Sequence, residues 1–199
     1  MRRPHVHSEG TVRVLALLVI GLIVGCAAAK EMIALHQVEF RFDRLSGARV
    51  VGIPLDGIDS YDDVAPADLG RFAAAVASKD VPLDITVHVE GRNPESNSTT
   101  ARLTAMDWTY LVDDREAVSG RLTGPIAFEP GQPRDVPLPV RLNLATIFGS
   151  DGRTLLNTAL ALAGQRSSSH KVALRISPTV ETSLGPIQYP TPITIDLSR

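Results

Sequence analysis

His88 is the side chain in this sequence whose neighbours come nearest to an acid–base site. Asp84 and Glu90 lie at even spacing from it, and even spacing along an extended strand places all three side chains on one face. A histidine beside a carboxylate can transfer protons during catalysis. A solvated sheet face of mixed charges gives the same pattern, and the sequence favours that interpretation because no nucleophile lies at a telling position.

Acidic side chains cluster in one loop-like segment, at Asp56, Asp59, Asp62 and Asp63. Their oxygens are ligands that Ca²⁺ accepts, but the glycine and terminal glutamate spacing of a calcium-binding loop is missing. The sequence also contains no phosphate-binding loop, no Gly-x-Ser-x-Gly elbow and no His-Glu-x-x-His motif. It therefore predicts no catalytic residue, no metal ligand and no cofactor, and it indicates a protein that is not an enzyme.

Composition narrows the class of protein further. Hydrophobic residues make up 44% of the 199 residues and charged residues 21%, which is typical of a folded domain with a core. The formal net charge of −2 provides no basic field for phosphate backbones, so no nucleic-acid partner is predicted. The single cysteine excludes an internal disulfide.

That cysteine, Cys26, stands where an amino-terminal apolar run ends. Three arginines precede or open the run, and residues 14–24 are unbroken apolar or glycine positions. A basic head followed by a short apolar segment is typical of a secretory signal. The run is too short for a comfortable membrane span, which needs about 20 apolar residues.

The segment Ile23-Val24-Gly25-Cys26 resembles a bacterial lipobox. The resemblance implies cleavage before Cys26, diacylglycerol on its sulfur and acylation of the new amino group. It also implies a lipid-anchored protein of the cell envelope, and the absence of aspartate at Ala27 favours the outer membrane, facing the periplasm. The alternative is an uncleaved signal anchor with an idle cysteine. The predicted organisation is a signal peptide at 1–25, a lipidated tether at 26–34 and one domain at 35–199.

The stretch from Val81 to Asp113 shows the strand pattern around which the domain is organised. Apolar side chains alternate with polar ones before and after an Asn93-Pro94 turn, which predicts two strands joined as a hairpin. Trp108 and Tyr110 share one face of the second strand. They can stack on a ligand, but the sequence favours a place in the core.

Further alternating segments follow at close intervals. Strands are predicted at 35–43, 117–128, 134–144, 172–178 and 186–197, a short β-branched run at 48–53, and helices at 66–79 and 151–164. Pro137 and Pro139 lack backbone donors, which places the 134–144 strand at a sheet edge. The predicted fold class is mainly β: an immunoglobulin-like antiparallel β-sandwich with one or two peripheral helices.

Four segments together resemble the late embryogenesis abundant (LEA) type 2 family, also called the WHy (water stress and hypersensitive response) domain. They are LDITVHVEGRNP, ARLTAMDWTYLVD, VSGRLTGPIAF and DVPLPVRLNL, which span roughly residues 81 to 145. The resemblance implies a non-enzymatic sandwich linked to desiccation or other stress, and bacterial members often carry a lipoprotein signal.

Two functions from different classes follow. The first is a membrane-anchored stress-protection or interaction module that acts through its surface on envelope proteins. The second is a carrier or binding protein for a lipid or another apolar ligand. An unfilled apolar cavity between the sheets would favour the carrier, whereas a sandwich packed solid by Trp108, Phe128 and Phe148 would favour the module.

Overall fold

The computed structural model describes residues 38–149, 151–182 and 185–197. Within these ranges no helix is both long enough and apolar enough to cross a bilayer. The signal segment, the tether and Cys26 lie outside the described residues.

The strands are β1 (Glu39–Val50), β2 (Ile53–Pro54), β3 (Pro82–Arg92), β4 (Ala101–Val112), β5 (Arg115–Phe128), β6 (Pro133–Asn143), β7 (Val172–Thr182), β8 (Gly185–Gln188) and β9 (Ile193–Asp196). The helices are α1 (Pro66–Ser78), α2 (Leu144–Phe148) and α3 (Gly152–Leu162), with a 3₁₀ turn at Tyr61–Asp63.

The strands form two antiparallel sheets. One has the order β2-β1-β3-β6, and the other has the order β5-β4-β7-β8 with β9 also paired to β7. The inward faces of both sheets contribute to one apolar core, and α2 and α3 form the connection from β6 to β7. The predicted mainly β antiparallel sandwich with peripheral helices is confirmed.

The alternating apolar side chains of β3 are the centre of the first sheet. Their exposed fractions are 3% or less, and they pair in register with the buried residues of β6: Leu83 with Leu142, Ile85 with Val140, Val87 with Leu138 and Val89 with Val136. Strand β6 lies at the edge of its sheet, as its two prolines predicted.

The predicted hairpin across Asn93-Pro94 is wrong. Strand β3 pairs with β1 and β6, whereas β4 pairs with β5 and β7 in the opposite sheet. The segment between Asn93 and Thr100 therefore crosses from one sheet to the other. Alternation identifies a half-buried strand but carries no information about its neighbours, and both sides of β3 are occupied by other strands.

A bulge in β4 changes which of its residues face the core. The register shifts between Leu103 and Ala105 against both neighbouring strands, so Met106 is the next core residue after Leu103. Ala105, which strict alternation would place on the same face as Leu103, lies outside the core cluster. The extra residue of a bulge changes which alternate side chains of the strand face inward. After the bulge these are Met106, Trp108 and Tyr110, which all lie in the core.

Three elements of secondary structure also differ from the prediction. The expected last strand is two short strands, β8 and β9, interrupted between Gln188 and Ile193. The apolar run at 48–53 is divided between the end of β1 and β2 by a turn at Val51 and Gly52, both with positive φ. Helix α2 was not predicted, because five residues are too few to show a helical period.

Candidate ligand-binding cleft

A cleft of about 300 Å³ enters the core on the flank of the sandwich where β1 faces β7 and β9. We call it the inter-sheet cleft. Its apolar lining comes from β1, β4, α3, β7 and the residue after β9, and it consists of Phe42, Leu45, Tyr110, Ala161, Leu162, Val172 and Leu197. A volume of this size lies at the lower end of the range for small-molecule sites, about 300–1,000 Å³.

Tyr110 is the polar side chain among these apolar neighbours. It faces inward from β4 between Trp108 and Val112, and its exposed fraction is 0%. Within the described part of the chain its hydroxyl is buried without a hydrogen-bond partner. An unpaired buried hydroxyl costs about 1–3 kcal/mol of stability. Burial also raises the pKa of Tyr110, so the phenol remains protonated at neutral pH.

The outer edge of the cleft is polar. Helix α3 is followed by Gly164, which has a φ of 75°. Residues 164–168 form an exposed loop that lines the cleft, and we call it the rim loop. Arg166 in this loop donates to the side chain of Asn157 at 3.2 Å. Among the described residues no carboxylate forms an ion pair with Arg166, so its charge remains available at the rim.

Away from the cleft, the core is packed closely enough to depend on glycines. The ring of Trp108 covers Gly120 on the paired strand β5, where an added Cβ would lie 2.2 Å from Trp108 Cζ2. The ring of Phe128 covers Gly91 in the same way, at 2.3 Å. Trp108 is buried, as predicted, and so is Phe128, whereas Phe148 is only partly buried and lies against His170 with ring centroids 4.8 Å apart.

A second polar arrangement lies on the outer face of the first sheet. His88 Nδ1 lies 2.8 Å from a carboxylate oxygen of Asp135, and His88 Nε2 lies 2.8 Å from Ser46 Oγ. The carboxylate can only accept, so Nδ1 carries a proton, and in the tautomer with Nε2 unprotonated the ring accepts from the serine hydroxyl. The order of groups is that of a serine–histidine–aspartate triad. None of the three residues lines the inter-sheet cleft.

Asp84 and Glu90 share the outer face of β3 with His88, but neither is its hydrogen-bond partner. Asp84 lies 3.5 Å from Arg141, and Glu90 accepts from Arg41 at 2.9 Å. The true partners of His88 are 42 and 47 residues away along the chain, on β1 and β6. Only the register of three adjacent strands brings them together, and no local spacing could have indicated it.

Two acidic side chains of the segment after β2 contact protein groups rather than a metal ion. Asp63 accepts from the backbone and the hydroxyl of Ser60 and from the backbone of Asp59, and these bonds, the Ser60 hydroxyl first, lower the pKa of Asp63. Asp62 lies 3.9 Å from Arg153. The cluster thus caps a 3₁₀ turn, and within the described ranges no group of three metal-ligating side chains comes together.

Comparisons with known proteins add the following. No family model and no curated protein matches the chain. A crystal structure of a protein from Archaeoglobus fulgidus is 12% identical with a TM-score of 0.36, and the match covers 79% of this chain and 97% of that one. A protein from Arabidopsis thaliana is 15% identical with a TM-score of 0.37, over 60% of this chain and 71% of that one. A provisionally assigned late embryogenesis abundant (LEA) protein is similar over 100% of this chain and 94% of its own, with 14% identity and a TM-score of 0.40.

Proposed function

We propose that this protein is a membrane-anchored, non-catalytic binding protein of the bacterial cell envelope that holds an apolar ligand in the inter-sheet cleft. The observation that carries the proposal is the cleft itself, in which side chains from both sheets and α3 form an apolar surface beside the polar rim loop.

The anchor is the second part of the proposal. The sole cysteine, Cys26, ends an apolar run in a lipobox-like segment, which supports lipid attachment there. Two or more acyl chains on one residue hold a protein on a bilayer, because each buried methylene contributes about 0.8 kcal/mol. The envelope, and the outer membrane facing the periplasm in particular, is the proposed location. Labelling cells with a fatty-acid analogue should tag the natural chain and leave Cys26→Ser unlabelled, and equal labelling would contradict the anchor.

Ligand binding is tested on the full chain extracted from the envelope. We expect an apolar molecule to co-purify with it and to be lost from Leu45→Glu, which places a charge in the cleft. Ile147→Glu is the matched control, since Ile147 is 36% exposed and lies outside the cleft. If the natural chain and Leu45→Glu carry the same extractable molecules while both melt cooperatively, the cleft is not the binding site.

The surface-acting stress module is the second candidate. The four segments that resemble the LEA type 2 family favour it, as does the close packing around Trp108 and Phe128. A deletion strain complemented with the natural chain, with Leu45→Glu or with Cys26→Ser separates the two functions. Survival of drying that depends on Cys26 and not on Leu45 would favour the module over the carrier.

The absence of catalysis is itself open to test at Ser46. This serine lies on the exposed face of the first sheet rather than in the inter-sheet cleft, and His88 and Asp135 are placed as a triad would need. A fluorophosphonate probe should leave the full chain unlabelled at concentrations that label a serine hydrolase completely. Labelling that disappears in Ser46→Ala and in His88→Gln would show an activated nucleophile and overturn the non-enzymatic proposal.

A further inference from the structure

A second cleft, of about 350 Å³, adjoins the inter-sheet cleft and is lined by α3 and by the segment that follows it. We call it the polar pocket. Of the described residues that line it, all but Ala161 are polar and none is acidic. The two clefts have Ala161, Arg166 and Ser167 in common, so they meet at the rim loop. The apolar cleft therefore lies beside a pocket of opposite character.

Arg166 gives the polar pocket a positive charge. Its Nη1 lies 3.2 Å from Asn157 Oδ1 and 3.5 Å from the backbone oxygen of Asp59, and both of these acceptors are uncharged. No described carboxylate forms an ion pair with it. Because a guanidinium only donates, the amide oxygen of Asn157 faces Arg166, and the amide nitrogen is left to donate to another acceptor.

The serines of the loop supply further donors. Ser168 Oγ donates to the backbone oxygen of His170 at 3.1 Å and accepts from its backbone nitrogen at 3.0 Å, which fixes the path of the chain. Ser167 and Ser169, on either side of it, both line the polar pocket. Among the described residues no partner bonds the hydroxyl of either serine, so both can donate to a ligand.

Two other polar residues of the lining are already bonded to carboxylates. The hydroxyl of Thr154 bonds to Asp151, and His170 Nδ1 lies 2.8 Å from a carboxylate oxygen of Asp113. Neither aspartate lines the polar pocket. Even a protonated His170 is neutralised by its aspartate, so Arg166 provides the net positive charge of the lining.

We propose that the polar pocket binds an oxyanion of the phosphate or carboxylate type, with Arg166 as its counter-charge and Asn157, Ser167 and Ser169 as hydrogen-bond donors. A guanidinium with neighbouring hydroxyl and amide donors, and without a competing carboxylate in the lining, is the arrangement that an oxyanion needs. A cation would be repelled by Arg166 and would find no acid in the lining to hold it.

The oxyanion has two possible sources. It is either a free anion or the head group of the ligand whose apolar part occupies the inter-sheet cleft, since the two clefts meet at Arg166 and Ser167. The oxyanion site itself does not depend on the proposed function, whereas the second source rests on it. The probes are therefore inorganic phosphate and hexyl phosphate, which differ only in an apolar chain.

The test uses the full ¹⁵N-labelled chain in nanodiscs of digalactosyl diacylglycerol, because that head group carries no phosphate or carboxylate. We expect inorganic phosphate, titrated at pH 7 and constant ionic strength, to shift the amide signals of Ser167 and Ser169 to saturation. Arg166→Gln should weaken binding roughly fivefold, the scale of one exposed ion pair. Arg121→Gln is the matched control with the same change in charge, since Arg121 bonds to Asp107 on the second sheet and lines neither cleft.

Hexyl phosphate identifies the source. A head group that belongs to the cleft ligand predicts roughly tenfold tighter binding than for inorganic phosphate, the gain of about two buried methylene groups. Leu45→Gln, which is polar but adds no charge to repel the phosphate, should abolish that gain and leave inorganic phosphate unaffected. Equal affinity for both probes would support a free anion as the source.

Two results would overturn the oxyanion site. One is that neither probe shifts the serine signals, and the other is that Arg166→Gln binds phosphate as tightly as Arg121→Gln. In either case the co-purification experiment still decides separately whether the inter-sheet cleft holds an apolar ligand, so the failure of this inference and the failure of the proposed function are distinguishable.

Discussion

Asn93 and Tyr110 are both polar side chains with an exposed fraction of 0%, but their surroundings differ completely. The amide nitrogen of Asn93 donates to the carbonyl oxygens of Thr99 at 3.0 Å and Phe128 at 2.8 Å, and its side-chain oxygen accepts from Asn97 at 2.8 Å. Its backbone oxygen accepts from Gly131 at 2.7 Å. The hydroxyl of Tyr110 has no such partner within the described residues.

The two surroundings indicate two different roles. Asn93 stands where the chain leaves one sheet for the other, and its side chain joins the end of β3, the crossing segment and the end of β5. A fully bonded buried amide of this kind specifies the fold, since any rearrangement would leave several groups unpaired. The hydroxyl of Tyr110 makes no comparable bond within the described residues, so its burial costs the folded chain stability.

Replacing Asn93 should therefore produce the largest loss of stability. Asn93→Leu keeps the volume and removes the three hydrogen bonds that join the buried Asn93 side chain to Thr99, Phe128 and Asn97. We expect the free energy of unfolding to fall by about 3–5 kcal/mol, since losing a buried hydrogen bond costs about 1–3 kcal/mol. Urea denaturation measures it, with the exposed Asn157→Leu as control. A loss below about 1 kcal/mol would mean that the bonds of Asn93 do not secure the crossing.

The second prediction contrasts packed core with open cleft by means of glycines. Gly120→Ala places a methyl group against the buried ring of Trp108, and overpacking of this kind costs about 1–3 kcal/mol. Gly70→Ala is the matched control, because Gly70 lies in α1 and nothing lies within 4 Å of a Cβ added there. Alanine at this position should stabilise the helix by about 0.5–1 kcal/mol. Opposite signs in thermal unfolding are the expected result, and two changes of the same sign would contradict the packing around Trp108.

Much of this contrast could be predicted from the sequence, but not its decisive part. Alternation identified β3, β6 and the core position of Trp108 and Tyr110, because one buried face imposes a period of two residues. Even the bulge in β4 is visible in the sequence, since the alternating apolar positions are odd-numbered up to Ala105 and even-numbered from Trp108 onward. Asn93-Pro94 was recognised as the end of a strand.

What could not be predicted depends on contacts between distant residues. The partner strands of β3 and β4 were assigned wrongly, because a strand's own pattern does not name its neighbours. For the same reason the grouping of Ser46, His88 and Asp135 was missed. The missing partner of Tyr110 depends on how distant parts of the chain pack around its hydroxyl, and no sequence motif indicates a missing hydrogen bond.

The smallest expected change in stability is that of Tyr110→Phe, and its dependence on pH allows it to be measured. Tyr110→Phe removes an unpaired hydroxyl, so at pH 7 the free energy of unfolding should stay unchanged or rise by up to about 1 kcal/mol. Burial raises the pKa of Tyr110 above that of the unfolded chain. Above pH of about 10, the unfolded phenol therefore loses its proton while the folded one keeps it, and stability falls as pH rises.

Above pH of about 10, each pH unit should lower the free energy of unfolding of the natural chain by about 1.4 kcal/mol through Tyr110. Tyr110→Phe should not show this loss. Below pH 10 the two states bind the same proton, so the difference between the two proteins should not change with pH. Urea denaturation at pH 7, 9 and 10.5 measures it, and Tyr61→Phe, at a half-buried tyrosine over which Arg153 lies, is the control. A loss of more than about 1 kcal/mol at pH 7 in Tyr110→Phe would show that the hydroxyl is bonded in the folded chain. Tyr110 would then resemble Asn93, a buried polar side chain whose bonds the fold itself supplies.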